Sequence, residues 1–434
     1  MEQFNYHNVS SSDDPGIDSS SYQCYTVDRG INSSQTVQFL IEGHQDSFID
    51  MSQCYLKTTF RVVDANGEIL PEPAGDNPLY KGVFPTEDYG NMLWSQVGVS
   101  INNTPLPPGN DYAYTAHITD LVGANPDARD QVKGYLAGFG QPKYLSSKTE
   151  HSLPGTYLLD KESVRGSKPI TIFSRIYSDF MMTCSQFLPT RMPLCISLTR
   201  SKDPFVLGSD EEAPQSYRVD IMSVSLFVKR AYLNPPARSL VESGLASGGQ
   251  LQYQRLHTVV YPCAQGSRSW NWHNCFGSIV PRRVFVALVS QEAYFGSYKR
   301  CSAYLESAGI ASVRFCLDGR EIMPEPYRTS FFYKDNGQLD EAKSDAKSAF
   351  AGLSRVIGNF VYANQFLGFR YTYFLDGSTL FAVAMDNADG SKPGSGSFDV
   401  HMDFQQPTKE AMMVIMVGEY PRTIAFDGQR NLTY

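Results

Sequence analysis

The chain has 434 residues, of which 42% are hydrophobic and 13% aromatic, and this composition excludes an intrinsically disordered protein. Its 37 basic and 45 acidic residues give a net charge of −8, which excludes a protein held on nucleic acid by net charge, while a local basic patch stays open. At roughly 150 residues per domain, the length predicts two or three domains, or two large β domains of about 200 residues each.

The N-terminal residues 1–34 are polar, Ser-rich and acidic, with Arg29 as their one basic residue. This composition predicts an arm that orders only against a partner or stays loose. The N-terminus has no apolar core of a signal peptide, and the longest apolar runs, such as 411–417, are far shorter than the roughly 20 residues of a membrane helix. We therefore expect synthesis in the cytosol and no membrane span.

From about residue 36 the sequence has the two-residue period of β-strands. Apolar and polar residues alternate in 97–101, 194–199 and 397–404, which predicts strands with one buried face. The runs 284–289 and 411–417 are apolar on both faces, as in strands buried on both sides.

Irregularities along the strands also carry information. The alternation in 217–229 changes phase, which predicts a β-bulge near Ser223. The sequences Asp64-Ala65-Asn66-Gly67 and Asp318-Gly319 follow strand patterns and predict hairpin turns, because Asn and Gly tolerate a positive φ.

Helices are few in this pattern. Residues 339–353 predict an amphipathic helix, and residues 235–246 a short helix that begins with proline and ends before a flexible Ser-Gly-Gly link. The stripe of the first helix consists of Ala342, Ala346, Phe350 and Leu353.

The second helix lies just past the midpoint and marks a domain boundary. The predicted division is an N-terminal arm (1–34), a first jelly roll (35–235), a linker with a short helix (236–250) and a second jelly roll (251–434). Many short strands and long loops favour this sandwich type.

Motifs of enzymes are absent: the sequence has no phosphate-binding loop, dinucleotide fingerprint, zincin motif or nucleophile elbow. We therefore predict a protein that is not an enzyme, with no catalytic, cofactor or metal site. An enzyme whose residues converge only in space stays open, and a β-sandwich hydrolase is the weakest alternative.

Several residues could nevertheless bind a metal. His257, Cys263, His273 and Cys275 are zinc-ligand types, but their irregular spacing favours loop and core residues. The eight cysteines, at positions 24, 54, 184, 195, 263, 275, 301 and 316, include no C-x-x-C pair and are predicted to be reduced, partly buried thiols.

Two acidic segments have weaker metal or acid–base signals. Asp386 and Asp389 faintly resemble a calcium loop, but Ser397 stands where the glutamate is needed, so a plain turn is favoured. The acidic run 210–212 (Asp-Glu-Glu) is interpreted as solvated charge.

Two further groups could bind larger ligands. The basic pairs Arg282-Arg283 and Lys299-Arg300 could touch nucleic acid, but solvated strand ends or subunit salt bridges are favoured. Trp270 and Trp272 share one strand face and could stack on a sugar or base. An interface or core anchor is favoured for this pair over a ligand platform.

Several segments together resemble the hexon-like major capsid proteins of Polinton/Maverick elements and of the related adintovirus and adomavirus groups. They keep their order over about residues 36–434. The segments are FIDMSQCYLKTTFRVVDANG (48–67), LWSQVGVSINNTPL (93–106), YAYTAHITDLV (112–122), ITIFSRIYSDF (170–180), LPTRMPLCISLTRSKDPFVL (188–207), YRVDIMSVSLFVKRAYLNP (217–235), FGSIVPRRVFVALVSQEAYFGSY (276–298), VRFCLDGREIMPEPY (313–327) and VIMVGEYPRTIAFDGQRNLTY (414–434).

The resemblance implies an all-β double jelly roll, with two tandem eight-stranded sandwiches, long loops and a few short helices. It implies a major capsid protein that assembles as pseudo-hexameric homotrimers into an icosahedral capsid. Implied partners are neighbouring capsomers, a penton-type single jelly-roll vertex protein and minor capsid proteins. The implied location is the virion, after synthesis in the host cytoplasm and assembly in the host nucleus. The alternative is a viral attachment (spike) or glycan-binding β-sandwich protein.

Overall fold

The computed structural model of the chain describes eleven stretches, to which all structural statements here refer. They are residues 16–28, 30–32, 35–72, 82–107, 109, 111–123, 164–211, 214–334, 339–357, 371–385 and 395–433.

The first half of the chain contains two antiparallel sheets of four strands each. The strands of this half are β1 (Ile17–Val27), β2 (Thr36–Ile41), β3 (Phe48–Asp64), β4 (Val83–Pro85), β5 (Trp94–Ile101), β6 (Thr104–Pro105), β7 (Ile170–Arg175), β8 (Leu194–Arg200), β9 (Leu207–Ser209) and β10 (Tyr217–Leu233). One sheet has the order β1-β10-β3-β7 and the other the order β2-β8-β5-β6, while β4 and β9 form a separate ribbon.

The second half repeats this plan. Its strands are β11 (Gly249–Cys263), β12 (Ser269–Trp272), β13 (Arg283–Ser290), β14 (Ile310–Leu317), β15 (Arg320–Glu321), β16 (Tyr327–Arg328), β17 (Leu380–Ala384), β18 (Phe398–Phe404), β19 (Met412–Phe426) and β20 (Leu432–Thr433). The sheets are β11-β19-β13-β17 and β12-β18-β14-β15, with β20 beside β19 and β16 beside β14.

Both halves therefore have the same topology. When the eight main strands of each half are counted along the chain, the sheets read first-eighth-third-sixth and second-seventh-fourth-fifth in both. Except for the fourth and fifth strands, which form a hairpin within one sheet, consecutive strands alternate between the two sheets, as in a jelly roll. The fold is an all-β double jelly roll, and this confirms the predicted fold class.

The predicted burial patterns are confirmed in the strands that carry them. Val97, Val99 and Ile101 point into the core from β5, and β13 is buried along its whole length. Strand β19 is buried on both faces between Val414 and Tyr420. These apolar faces join one core of buried side chains that extends through both halves.

The predicted bulge and hairpin turns are also present. The register between β10 and β3 shifts between Ile221 and Ser223, at the place where the alternation slips. Asp318 and Gly319 both have positive φ and join β14 to β15 as a two-residue hairpin, because the turn must follow the twist of the strands.

The predicted N-terminal arm differs from the structure between Ile17 and Val27. This segment is β1, the first strand of the first jelly roll, and it pairs with β10 from Ile17↔Leu233 to Val27↔Val224. Its side chains are mostly exposed, so the ladder of backbone hydrogen bonds holds it in place rather than an apolar face. A polar composition alone therefore gave a wrong prediction for these residues.

Eight short α-helices lie between the strands, besides a 3-10 helix at Arg165–Ser167. They are Tyr89–Met92, Tyr112–Gly123, Asp179–Thr183, Asp203–Val206, Pro235–Leu245, Gln291–Phe295, Lys347–Ile357 and Tyr371–Leu375 within the described ranges. The predicted linker helix is confirmed as Pro235–Leu245, where the Asn234 side chain accepts a hydrogen bond from the Ala237 N–H at its start. None of the helices in these ranges has the length and hydropathy needed to cross a membrane.

The other predicted helix begins later than its pattern suggests. It spans Lys347–Ile357, and the preceding residues form β-bridges from Leu339 to Tyr333 and from Asp345 to Ser330. Ala342 is exposed instead of lying on the buried stripe. These bridges satisfy backbone groups that a longer helix would have used, so the prediction was wrong for 339–346.

Candidate functional site

The contact between the two jelly rolls is the most elaborate site in the described part of the chain. Its centre is the helix Tyr112–Gly123, which is buried on all sides up to Val122. From this helix the Tyr114 ring stacks on Tyr294 of the second half at 5.6 Å and meets Phe205 edge-on at 5.7 Å. The Thr115 and Thr258 hydroxyls are 2.5 Å apart across the same boundary.

The helix is fixed to the first half by buried polar contacts. His117 Nδ1 lies 3.0 Å from Asp88 Oδ2, and both side chains are almost fully buried. The Tyr177 hydroxyl donates to Asp120 one turn further along, and burial raises the pKa of Tyr177 well above its usual value. These contacts set the position from which Tyr114 reaches the second half.

A second contact covers the free edge of β11, which lies at the end of its sheet. Thr183 Oγ1 donates to the Gln254 carbonyl at 3.1 Å and accepts from the Gln254 N–H at 2.8 Å. The Gln186 side-chain amide makes two similar bonds further along this edge. Its Nε2 donates to the Gln250 carbonyl at 3.1 Å and its Oε1 accepts from the Gln252 N–H at 2.8 Å. Side chains of the first half thus take the place of a further strand along this edge.

Tyr298 of the second half forms a third contact, at the start of β10. Its hydroxyl donates to the Tyr217 carbonyl at 2.7 Å and accepts from the Tyr217 N–H at 3.1 Å, while its own carbonyl accepts from the Ser209 N–H at 2.7 Å. The two tyrosine rings meet edge-on at 5.9 Å. One side chain therefore joins a strand of the first half to the loop after helix Gln291–Phe295.

Arg430, near the C-terminus, forms a fourth contact, which involves the linker helix Pro235–Leu245. Its buried guanidinium donates to Glu242 Oε2 at 3.0 Å and to the Leu245 carbonyl at 2.8 Å, both on the linker helix. The Thr190 hydroxyl of the first half donates to the same Glu242 carboxylate. The Arg430 carbonyl accepts from Asn102 Nδ2 at 3.0 Å. The linker helix is thereby tied to both halves.

These contacts make the pair of jelly rolls one mechanical unit. Aromatic stacking and strand-edge hydrogen bonds join the two halves directly, and the ion pair of Arg430 with Glu242 joins the second half to the linker helix. The arrangement holds two domains at a fixed angle. Burial raises the pKa of the Cys184 and Cys301 thiols to about 12, which keeps these two thiols protonated and weakly nucleophilic.

The residues that form this contact were missed by sequence reasoning. Thr183, Gln186 and Tyr298 have partners about 64 to 81 positions away, as the separations of their hydrogen bonds show. No local spacing encodes such pairs. The only signal was the presence of polar residues inside otherwise apolar segments such as 112–122.

The two tryptophans form part of a packed cluster. Trp270 is buried and its indole N–H donates to the Pro262 carbonyl at 3.0 Å. Trp272 stacks on Trp270 at 6.0 Å and lies 4.2 Å from the Tyr261 ring. Since protein rings cover these faces, the favoured interpretation as packing anchors agrees with the structure.

The possible zinc ligands of the sequence occupy different environments. His257 lies on β11 beside Phe276, and burial lowers its pKa. Cys263 and Cys275 are among the six buried cysteines of the chain, and each of the eight is a free thiol. His273 is exposed and faces Asp399, with its Nδ1 3.2 Å from Asp399 Oδ2.

One arginine of each basic pair, Arg283 and Arg300, has an acidic partner within the chain. Arg283 is fully buried and its Nη1 lies 3.0 Å from Glu419 Oε2, so the prediction of a solvated strand end was wrong for this residue. The ion pair follows from the strand register, because Arg283 and Glu419 are direct partners on β13 and β19. Arg300 binds Glu410 at 2.6 Å and Glu292 at 3.3 Å.

In the acidic run, Asp210 Oδ1 accepts from the Gly82 N–H at 2.6 Å. Glu212 lies outside the described residues, and so do Asp386 and Asp389 of the possible calcium loop.

Comparisons with known proteins agree with this architecture. No protein-family model matches the sequence. An uncharacterized protein of Caenorhabditis elegans is 21% identical over 405 residues, which cover 91% of this chain and 92% of that protein.

Two solved structures are similar over nearly the whole chain. A chain of the Sputnik virophage has a TM-score of 0.60 at 10% identity and covers 98% of this chain and 90% of its own length. The mavirus major capsid protein has a TM-score of 0.51 at 12% identity, with coverages of 98% and 92%. At these identities the similarity concerns the fold.

Proposed function

We propose that this chain is a major capsid protein with a structural and not a catalytic role. The observation that carries the proposal is the pairing of two jelly rolls of identical strand order, locked together by buried contacts. A fold shared with the mavirus major capsid protein over nearly the whole chain supports it.

The proposed assembly unit is a homotrimer with pseudo-hexagonal outline. Three chains would supply six similar domains, which fill a hexagonal lattice position with copies of one polypeptide. This use requires that the two domains of each chain keep a fixed angle, and the contacts of Tyr114, Gln186 and Arg430 support that requirement. The net charge of −8 would keep free capsomers soluble before assembly.

The domain division is part of this proposal. The first domain would end at about residue 235, the linker would span 236–250, and the second domain would span 251–434. The first domain would also include β1, because this strand pairs with β10. An N-terminal arm would then be limited to the residues before Ile17.

Partners and location follow from the same proposal. Trimers would contact neighbouring trimers, a penton-type vertex protein with a single jelly roll, and minor capsid proteins. The chain would be made in the host cytoplasm, assembled in the nucleus and located in the virion. These points rest on the family resemblance of the sequence.

Sedimentation and negative-stain microscopy of the purified full-length chain test the proposal. Three chains of 48.4 kDa would sediment as a particle near 145 kDa, and class averages would show threefold symmetry with a hexagonal outline. A chain that stays monomeric at micromolar concentration and above, without hexagonal particles, would contradict the proposal.

A further inference from the structure

One cluster of metal-ligating side chains lies on the outer face of the sheet β12-β18-β14-β15. Asp399 and His401 are two residues apart on β18 and therefore share a face. Asn271↔His401 and Trp272↔Val400 are register partners on β12 and β18, so the next residue, His273, comes opposite Asp399. The strand register alone thus gathers two imidazoles and a carboxylate.

The positions of these groups are fixed by neighbours that leave ligand atoms available. Asp399 Oδ1 accepts from the Asn274 N–H and the Ser397 hydroxyl, each at 2.8 Å, which turns Oδ2 towards His273 Nδ1 at 3.2 Å. His401 Nδ1 lies 2.9 Å from Asn271 Oδ1. A histidine whose one nitrogen donates to an oxygen presents the lone pair of the other to a metal.

We propose that His273, Asp399 and His401 bind one divalent transition-metal ion of the zinc type. One ligand atom from each residue lies within 4.8 Å of the other two. Bonds of about 2.0–2.1 Å in a tetrahedral site need ligand atoms about 3.3 Å apart. The His273 side chain is 69% exposed and can rotate to close this gap, whereas Asp399 is held by its hydrogen bonds.

The chemistry of the set favours zinc, cobalt or copper over calcium or magnesium. Two imidazoles and one carboxylate are the ligands that these transition metals take, while calcium and magnesium need mostly oxygen ligands. Three protein ligands leave a fourth position for water. Arg314, the register partner of His401 on β14, brings a positive charge to the same face. Asp403 offsets this charge, because its Oδ2 lies 3.6 Å from Arg314 Nη2.

The expected consequence is mechanical. Strand β12 has four residues and lies at the end of its sheet, and the ion would cross-link the residue after it to β18. A ligand that binds only the folded chain raises its stability. The site would therefore hold the short edge strand β12 against β18.

Titration of the metal-free full-length chain with Co²⁺ tests the proposal, because cobalt reports its ligands by visible absorption. We expect one Co²⁺ per chain, displaced by Zn²⁺, and an affinity at least about tenfold weaker in His273→Gln and in Asp399→Asn. His44→Gln, in the first half, and Cys24→Ser, which removes the exposed thiol, are the matched controls and should bind as the wild type does.

Thermal unfolding gives the second measurement. Zn²⁺ should raise the midpoint of the wild type and of His44→Gln but leave that of His273→Gln unchanged. Because His273 is exposed, its substitution should not alter the midpoint without metal. Equal Co²⁺ binding by wild type and His273→Gln, a thiolate-to-cobalt band that disappears in Cys24→Ser, or no stoichiometric binding would each overturn the proposal.

Discussion

The two jelly rolls have the same strand order but cover their equivalent sheets differently. In the first half, the sheet β1-β10-β3-β7 carries an aromatic row on its outer face: Tyr55 stacks on Phe227 at 4.8 Å and contacts Tyr22 and Phe173 at 5.5 and 6.2 Å. Tyr22 and Phe173 are 49% and 59% exposed. In the second half, β13 has the place that β3 has in the first half, and it is buried on both faces.

The difference arises from β16 and from the two helices that follow it, Lys347–Ile357 and Tyr371–Leu375. In the second half, Tyr327 and Phe374 pack on Phe381 of β17, and the helix Lys347–Ile357 lies against the same strand. The first half leaves its row open among the described residues. The second jelly roll is thus covered on this face by its own chain, whereas the aromatic row of the first is exposed among the described residues.

The halves also bury arginine in different ways. Arg230 on β10 is bonded to neutral groups: Gln23 Oε1 at 2.7 Å, Ser47 Oγ at 3.1 Å and the Glu42 carbonyl at 2.8 Å. Arg283 on β13 faces the Glu419 carboxylate. Removing the ionised partner of a buried charge costs more free energy than removing one of several neutral hydrogen-bond partners.

Substitution of Glu419 should have the largest effect. Glu419→Gln removes the carboxylate that faces the buried Arg283, and we expect the free energy of unfolding to fall by about 4 kcal/mol. Urea denaturation measures this loss. Ser47→Ala, which removes one neutral acceptor of Arg230, should cost only about 1.5 kcal/mol.

The double variant Arg283→Met/Glu419→Leu distinguishes charge from packing at this place. It removes both charges and should recover most of the stability that Glu419→Gln loses. A double variant as unstable as the single one would contradict the assignment to an uncompensated charge.

Substitution of one phenylalanine in each half by alanine tests directly how the outer face of each sheet is covered. Phe374 is fully buried, and Phe374→Ala should lower the free energy of unfolding by about 3 kcal/mol. Phe173→Ala, on the open row, should change it by no more than about 0.5 kcal/mol in the isolated chain. A comparable loss at both positions in urea denaturation would mean that the row is already covered within one chain.

Sequence patterns predicted those parts of the fold that local burial dictates. The strands β5, β13 and β18 followed from alternation or from apolar runs, and the bulge followed from the slip in phase between Ile221 and Ser223. Strand β1 did not, because it is exposed and its stability comes from backbone hydrogen bonds, which leave no trace in side-chain pattern. The helix Tyr112–Gly123 did not, because a helix buried on all sides has no polar stripe.

The contact between the halves could not be predicted at all from spacing. Gln186 binds backbone groups of Gln250 and Gln252, so the side chains of its partners give no signal in the sequence. Arg283 could have been suspected, since an arginine at the start of a strand that is apolar on both faces needs a buried acceptor, and Glu419 is the acidic residue that interrupts the apolar run of β19.

The pH dependence of stability offers a smaller effect at this contact. Burial raises the pKa of Asp179 from 3.8 to about 6, and hydrogen bonds and Arg255 of β11 oppose the shift only partly. Between pH 4 and 6 the unfolded chain has lost this proton while the folded chain retains it. Asp179 therefore lowers the free energy of unfolding as pH rises through this interval, by about 2 kcal/mol for a half-buried group.

Asp179→Asn should remove this decrease. The free energy of unfolding of the variant, relative to that of the wild type, should therefore rise between pH 4 and 6. Urea denaturation at both pH values measures it. Asp427→Asn is the control without a pH effect in this interval: hydrogen bonds from Asn431 lower the pKa of Asp427, so its carboxyl is largely ionised above pH 4 in the folded and the unfolded chain alike. A pH-independent difference for Asp179→Asn would contradict the raised pKa.

The smallest effect should come from the side chains that cover the edge of β11. Gln186→Met keeps the side-chain length but cannot bind the Gln250 carbonyl or the Gln252 N–H, and we expect a loss of about 1 kcal/mol. Hydrogen exchange of the Gln252 amide should become faster, while that of Val286 in the centre of the same sheet should not change. If both amides exchanged faster together, β11 would open only with the whole sheet, and the two jelly rolls would separate only by global unfolding.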